Sequence, residues 1–338
     1  MEFPGQICAT NLLSGNWTQR NCWPPLPIAT TLGIGGLRVN LLTGLSLSLN
    51  GNAITLSNMI WDQLNIPANA RVPDPLLVAR ALAARGANAA PLNFATVHAF
   101  SMHTFLLRLW LQAAGIDPDR DIKLIVLPPE QMCDSLARRM IDGFCAGEPW
   151  SSVAVAQGIG TVAASGYPIL NNAPEKGLGV TELWHNHHPG THLRLRLAVM
   201  EACRLLSEPE QRIRIAEIMS VPGYLNLPMK VLLPSLVGEY CFSKGAAPAS
   251  VPDFHVFWTH QAGFPWRSHA EWIARQIYSL LGKPIDQDQI RAVVQQTWRP
   301  DLYREAARYL GEISPDHDEA QGQPRPELGT GAGSVAGS

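Results

Sequence analysis

The stretch best suited to chemistry runs over residues 142–160, Asp-Gly-Phe-Cys-Ala-Gly-Glu-Pro-Trp-Ser-Ser-Val-Ala-Val-Ala-Gln-Gly-Ile-Gly. Its pattern predicts a short strand over 144–147, a tight turn, and then a helix with Pro149 at its first position, where no N–H is needed. Such a turn leaves backbone N–H groups and the positive end of a helix dipole at the carboxyl edge of a sheet. Small anions dock in that environment. On spacing alone, Gly-Glu-Pro-Trp reads equally well as a plain connector with a packed Trp150.

Other chemistries find less support. There is no G-x-S-x-G, no phosphate loop and no dinucleotide fingerprint, since Gly33-Ile34-Gly35-Gly36 lacks the spacing. His185, His187, His188 and His192 are broken up by Asn186 and Pro189-Gly190, with no acidic or Cys partner at ligand spacing. They read as a solvated loop, and neither metal nor cofactor is expected. The six cysteines (Cys8, Cys22, Cys133, Cys145, Cys203, Cys241) form no CxxC pair. Cys133 and Cys145 lie in apolar surroundings and are expected to be buried, reduced thiols.

The elements that would position an anion alternate. Val39, Leu41, Leu45, Leu47 and Leu49 give a strand over 39–49, closed by an Asn50-Gly51-Asn52 turn. Helices are predicted over 76–85, 104–114 and 130–141, and strands over 94–97 and 122–127. This alternation suits βαβ units and a parallel sheet. The second half is more helical, with helices over 191–206 and 208–219. Ser268-His269-Ala270-Glu271 reads as a capping box before another, ended by Gly282. From about Ser314 the composition predicts a disordered tail.

At 338 residues the chain is long enough for two lobes. Its 46% hydrophobic and 16% charged residues describe a globular protein. A net charge of −2 and a pI near 6.5 give no general attraction to nucleic acid or anionic membrane. The most apolar region, 37–56, is interrupted by Asn40, Thr43, Ser46, Ser48, Asn50 and Asn52, so no transmembrane helix is expected. The first residues lack the pattern of a secretory leader, which favours a cytoplasmic protein.

Gly-Phe-Cys-Ala-Gly-Glu-Pro-Trp at 143–150 closely resembles a segment of the nitrate/bicarbonate-binding proteins related to NrtA and CmpA. Further blocks follow in order: Pro24-Pro25-Leu26-Pro27, Leu49-Asn50-Gly51-Asn52-Ala53-Ile54, Phe94-Ala95-Thr96-Val97-His98, Leu127-Pro128-Pro129-Glu130-Gln131, Ala173-Pro174-Glu175-Lys176 and Phe264-Pro265-Trp266-Arg267. The resemblance covers roughly residues 24–312. It implies an α/β, two-lobed, type II periplasmic-binding-protein fold with a ligand cleft between the lobes. The lobes are expected at 1–95 (lobe I, incomplete), 96–176 (lobe II) and 177–313 (return to lobe I), with a tail at 314–338. No enzymatic activity is implied.

The Ile116-Asp117-Pro118-Asp119-Arg120-Asp121 and Trp298-Arg299-Pro300-Asp301-Leu302-Tyr303 segments look most like the NasS-type cytoplasmic sensor branch. That likeness implies nitrate or nitrite as ligand. It also implies a NasT-like partner, an RNA-binding antiterminator with an ANTAR domain, which the ligand-free sensor would hold inactive. The alternative is the solute-binding component of an ABC importer for nitrate, bicarbonate or a sulfonate; an α/β enzyme is the third reading.

For such an anion the site should combine neutral donors with one or two cations. The candidates are Asn52, His98, His103 and Gln131 as donors, and Lys176 and Arg267 as cations, with Lys244 a weaker third. Glu148 is expected to orient neighbouring donors or pair with a cation. Transport members of the family often carry His where this chain has Ala173, so one anion contact is expected to be missing. Family members also begin with a strand–helix–strand unit that residues 1–22 do not resemble, with 11–15 read as a remnant of its last helix. A truncated start and a weakened first lobe are therefore expected.

Overall fold

The computed structural model describes residues 19–36, 38–66, 71–85 and 90–320. In chain order these form β1 (Gln19–Cys22), α1 (Pro25–Thr31), β2 (Leu41–Asn50), β3 (Asn52–Ser57), α2 (Asn58–Gln63), α3 (Pro75–Ala83), β4 (Leu92–Thr96), α4 (Met102–Gln112), β5 (Ile122–Val126), α5 (Met132–Ala137), β6 (Gly143–Gly147), α6 (Trp150–Gln157) and β7 (Gly160–Ser165). There follow β8 (Pro174–Thr181), α7 (Glu182–His187), α8 (Pro189–Leu205), α9 (Pro209–Ser220), α10 (Met229–Val237), β9 (Glu239–Tyr240), β10 (Ala249–Ser250), β11 (His255–Val256), α11 (Arg267–Leu280), α12 (Gln287–Thr297) and α13 (Pro300–Leu310).

Two larger sheets organise them. The first, in the order β1-β8-β2-β11, is antiparallel throughout. The second, β5-β4-β6-β3-β7, is mixed: β4 runs parallel to β5 and β6, while β3 runs antiparallel to β6 and β7. The parallel sheet expected from the alternation is thus confined to one βαβ part of the second sheet.

The boundary expected at residue 95 falls inside that sheet. β3 and β4 belong with β6, so the segment 52–95 goes with the second sheet rather than the first. Nor does the segment 177–313 return wholly to the first sheet. Tyr240, Phe242, Ala249 and Phe254 pack on Ala53, Val155 and Val162, and the Val162 N–H donates to the Phe242 carbonyl at 2.8 Å.

Asn50-Gly51-Asn52 is not a hairpin turn but the point where one strand crosses from the first sheet into the second. Asn50 and Gly51 take left-handed conformations, φ 62° and 86°. Gly51 is required there twice over: a β-carbon would also stand 2.4 Å from His255 Nδ1. The second crossover runs beside it, with the Asn50 N–H on the Ala173 carbonyl at 2.8 Å and the Ala173 N–H on Asn50 Oδ1 at 3.2 Å. Local turn chemistry is overridden because the Asn50 side chain is consumed in joining the two crossovers.

Two helix boundaries also differ. The helix expected over 130–141 stops at Ala137, leaving Met140 exposed. Asp142 pulls the chain back to β4, accepting from the Asn93 N–H at 2.8 Å while its own N–H donates to the Asn93 carbonyl. α11 starts at Arg267 without a side-chain cap, and Ser268 Oγ instead accepts from the Ala320 N–H at 3.1 Å. Residues 314–320 are accordingly laid against α11 and α13 rather than forming part of a free tail. The expectations for 1–18 and 321–338 lie outside the described residues; Gln19–Cys22 form an edge strand on β8. Among the described residues no helix is long and apolar enough to cross a membrane.

Candidate functional site

The two sheets meet where the chain crosses between them, and the ionisable side chains converge there. β3 delivers Asn52 immediately after its crossover. α4 delivers His103 in its first turn, fixed by Ser101, whose side chain caps the helix by accepting from the Thr104 N–H at 3.3 Å. β8 delivers Glu175 and Lys176. All but Lys176 are buried.

Glu175 is the hub. Asn52 Nδ2 donates to its Oε2, Lys176 Nζ to its Oε1, and His103 Nε2 stands 3.2 Å from Oε1. Burial alone would raise the pKa of this carboxyl, but the Lys176 and His103 charges and hydrogen bonds overcome it and hold it at about 2. Three polar atoms in the cluster have no hydrogen-bond partner, Asn52 Oδ1 and both ring nitrogens of His103, the Nε2 approach to Glu175 being an ion-pair contact only. Beside them is Gly147, the last residue of β6; a β-carbon there would stand 3.5 Å from Asn52 Oδ1 and 3.7 Å from His103 Nε2. A bare glycine, an unpartnered amide oxygen and an unpartnered imidazole nitrogen at a sheet junction are the makings of a small polar ligand site.

Glu148 sits next along the chain. The Ser152 N–H donates to its Oε2 at 3.2 Å and Tyr240 OH to its Oε1. Burial raises its pKa, with the Tyr240 and Ser152 hydrogen bonds working the other way. The helix N-terminus that the sequence offers to an external anion is therefore occupied by this chain's own carboxylate. Glu148 thus holds the Ser152 N–H and the Tyr240 hydroxyl, and among the described residues it forms no ion pair. Pro149 falls at the cap position, after a cis peptide bond, and the helix begins at Trp150.

The remaining candidates lie outside the cluster. His98 stacks on Trp23, ring centroids 5.2 Å apart at 18°, and accepts from the Phe100 N–H on Nδ1 at 3.0 Å. In the neutral ring Nε2 therefore carries the proton; burial lowers its pKa. Trp23 follows β1 and His98 follows β4, so this stack bridges the two sheets. Gln131 is exposed beyond edge strand β5. Arg267 is paired with Asp318 at 2.6 Å, and Arg304 holds the same carboxylate at 2.7 Å. It is not a free cation. Lys244 is exposed beside Gly158 at the end of α6.

The histidine run is not a solvated loop either. His192 is fully buried, its Nδ1 2.9 Å from His185 Nδ1, and burial, then Arg196, brings its pKa down to about 3. Among the described residues no three His, Cys, Asp or Glu side chains are placed to hold a metal. Cys133, Cys145 and Cys203 are buried free thiols, with burial pushing Cys133 up to about 12.

Glu175, Gly147, Tyr240 and Trp23 were not singled out from the sequence. A signal for Glu175 was present in the adjacent charges Glu175-Lys176 within an otherwise apolar extended run.

Two α/β lobes joined by paired crossovers, with polar side chains gathered at the junction, define a type II periplasmic-binding-protein fold. The chain belongs to the NMT1-like family, whose profile matches residues 8–220. The nitrate import ATP-binding protein NrtC of Synechocystis sp. is 37% identical over 297 residues, 86% of this chain and 42% of that protein. The nitrate/nitrite binding protein NrtA of Synechococcus elongatus is 29% identical over 265 residues, 78% of this chain and 58% of that one. This chain thus spans about two fifths to three fifths of the length of these relatives. The crystal structure of periplasmic nitrate-binding NrtA from Synechocystis superposes with a TM-score of 0.83 at 27% identity, covering 96% of this chain and 83% of that one. An alkanesulfonate-binding protein from Xanthomonas axonopodis, at 17% identity and TM-score 0.56, shares the fold.

Proposed function

We propose that this chain binds a small planar oxyanion, nitrate or nitrite foremost and bicarbonate next, and that it acts as a cytoplasmic sensor. The observation that carries this reading is the Asn52–His103–Glu175–Lys176 cluster, drawn from both sides of the crossover, with the ring nitrogens of buried His103 free of hydrogen bonds and Lys176 beside it. A ligand held by groups from both sheets favours one arrangement of the lobes. It can shift that equilibrium only by its differential affinity for the two states. A tenfold change in partner affinity needs only about 1.4 kcal/mol of coupling.

The partner in this reading is a NasT-like ANTAR-domain antiterminator, released when the ligand binds. The test is calorimetric titration with nitrate, nitrite and bicarbonate, followed by capture of the antiterminator with and without the preferred ion. Loss of capture on adding the ion supports sensing; capture indifferent to the ion sinks it.

The second reading, the ligand-binding portion of an ABC importer, draws support from the match to part of NrtC. Since this chain carries no phosphate loop, what it shares with that ATP-binding relative is not a nucleotide site. Co-purification with a transport ATPase or permease would favour this second reading.

A further inference from the structure

The segment after α13 doubles back, and the body of the chain holds it as a bound peptide is held. The Arg304 Nε–H donates to the Pro315 carbonyl at 2.8 Å, the Arg267 N–H to the Asp318 carbonyl at 2.9 Å, and the Ala320 N–H to Ser268 Oγ at 3.1 Å. Those three contacts take the main chain, and a fourth takes a side chain. Arg267 and Arg304 close on the Asp318 carboxylate at 2.6 and 2.7 Å, and Asp318 Oδ1, Arg304 Nη2 and Arg267 Nε are shut off from water. Two guanidinium groups on one carboxylate select that group and its position. α11 has no side-chain cap of its own, so its first N–H relies on this segment. Of residues 314–320 it is Ala320 that joins the apolar cluster around Phe264, Trp266 and Tyr303. The fit fails at one place. Partial burial, then Glu271 of α11 and Asp318, raise the Glu319 pKa, with Arg267 working the other way. Among the described residues no helix or strand follows the segment, so it can leave without unravelling an element.

We propose that the groove between the start of α11 and α13 is a docking site for an acidic peptide segment of a partner protein, and that residues 314–320 fill it in the partner's absence. The groove sets the chemistry of its occupant: an aspartate between Arg267 and Arg304, a main-chain carbonyl ahead of it for Arg304, and a main-chain N–H beyond it for Ser268. The chain's own Ser314-Pro315-Asp316-His317-Asp318-Glu319-Ala320 meets this pattern but sets Glu319 near Glu271. A partner segment with an uncharged residue at that place escapes the repulsion. It competes against a tethered segment whose effective concentration is on the order of millimolar, so relief of that one mismatch decides whether displacement occurs. Neither arginine belongs to the junction cluster, so this inference stands apart from the oxyanion reading.

The test uses the full chain and a fluorescent peptide copying residues 314–320, read by anisotropy at low salt, where ion pairs are least screened. The tethered segment should keep the peptide's affinity for the unmodified protein low. Asp318→Lys, which sets a cation against both arginines, should expel the segment and tighten peptide binding at least tenfold. Asp318→Asn should act in the same direction to a smaller extent, and stands in if the first variant does not fold. Adding Arg304→Ala to either should remove the gain. A peptide with asparagine at the Asp318 place should bind at least tenfold more weakly, and one with glutamine at the Glu319 place more tightly than the copy. No gain in either Asp318 variant overturns the inference. So does a gain that survives Arg304→Ala or the asparagine peptide, since that would be unselective charge attraction. A glutamine peptide no tighter than the copy overturns the displacement of the tethered segment.

Discussion

His103 and Glu175 approach to 3.2 Å across the line where the two sheets join, one from the first turn of α4 and the other from β8. The contact ties the second sheet to the first through a carboxylate with a much depressed pKa. Glu175 has an ordinary value of 4.5 and is held at about 2 in the folded chain. A depressed pKa contributes stability that is present above the unfolded value and lost as the pH falls through the folded one. Denaturant unfolding measured from about pH 5 down to about pH 2 should therefore show a loss of roughly 3 kcal/mol from this group. Glu175→Gln should remove that part of the pH dependence. If the variant's stability profile parallels the unmodified one, the pairing is not energetically significant.

Gly147 leaves open the space between Asn52 Oδ1 and His103 Nε2, and its backbone is not in the left-handed region. A methyl group there would meet both atoms at ordinary contact distance, so Gly147→Ala should fold without strain. Reducing the freedom of the unfolded chain should even add about 0.4–1 kcal/mol. The same methyl occupies the room a ligand oxygen needs, so nitrate affinity should fall at least tenfold. Calorimetry and thermal melts of the one variant separate the two effects. Unchanged affinity would place the ligand elsewhere.

The sequence made some features legible and hid others for physical reasons. β4 is a short, buried run whose residue types carry the signal locally, and its position was found within two residues. Sheet partnership is not local: nothing in Leu92–Thr96 says that it pairs with Gly143–Gly147 in the sheet that also holds Asn52. Lys176 was readable as a cation, but its bond to Glu175 was not. Neighbours on a strand normally face opposite ways, and here the β2–β8 register shifts beside Ser48, opposite Lys176. In the same way Asn50-Gly51-Asn52 carries every local sign of a turn. Only the distant Ala173 and His255 make it a crossing.

Arg196 is a buried charge that nothing in the local pattern of α8 announces. It is 1% exposed; Nη1 donates to the Leu302 carbonyl and Nη2 meets Glu305 at 2.8 Å, fastening α8 to α13. Arg196→Ala should leave that carbonyl without its donor, at a cost of about 1–3 kcal/mol, with little added by Glu305, which is 40% exposed. Arg196→Met, which fills the space without a charge, should lose less. Equal losses for the two variants in chemical denaturation would show that packing volume, not the polar contacts, is what matters here.

Arg267 gives the sharpest separation between a binding and a structural role. The sequence offers it as a cation for the ligand, yet its guanidinium lies against Asp318, which Arg304 also holds. The Arg267 N–H donates to the Asp318 carbonyl at 2.9 Å, so the strand of chain carrying Asp318 is secured by backbone as well as side chain. These side chains are about a quarter exposed, and an ion pair so placed is worth about 1 kcal/mol or less. Arg267→Ala and Asp318→Asn should each lower the melting temperature by a few degrees at most. Neither should change nitrate affinity by more than about twofold, since neither side chain reaches the His103 cluster. Should Arg267→Ala abolish nitrate binding while Asp318→Asn leaves it untouched, the arginine must leave its carboxylate partner when ligand arrives, and the site would extend to α11.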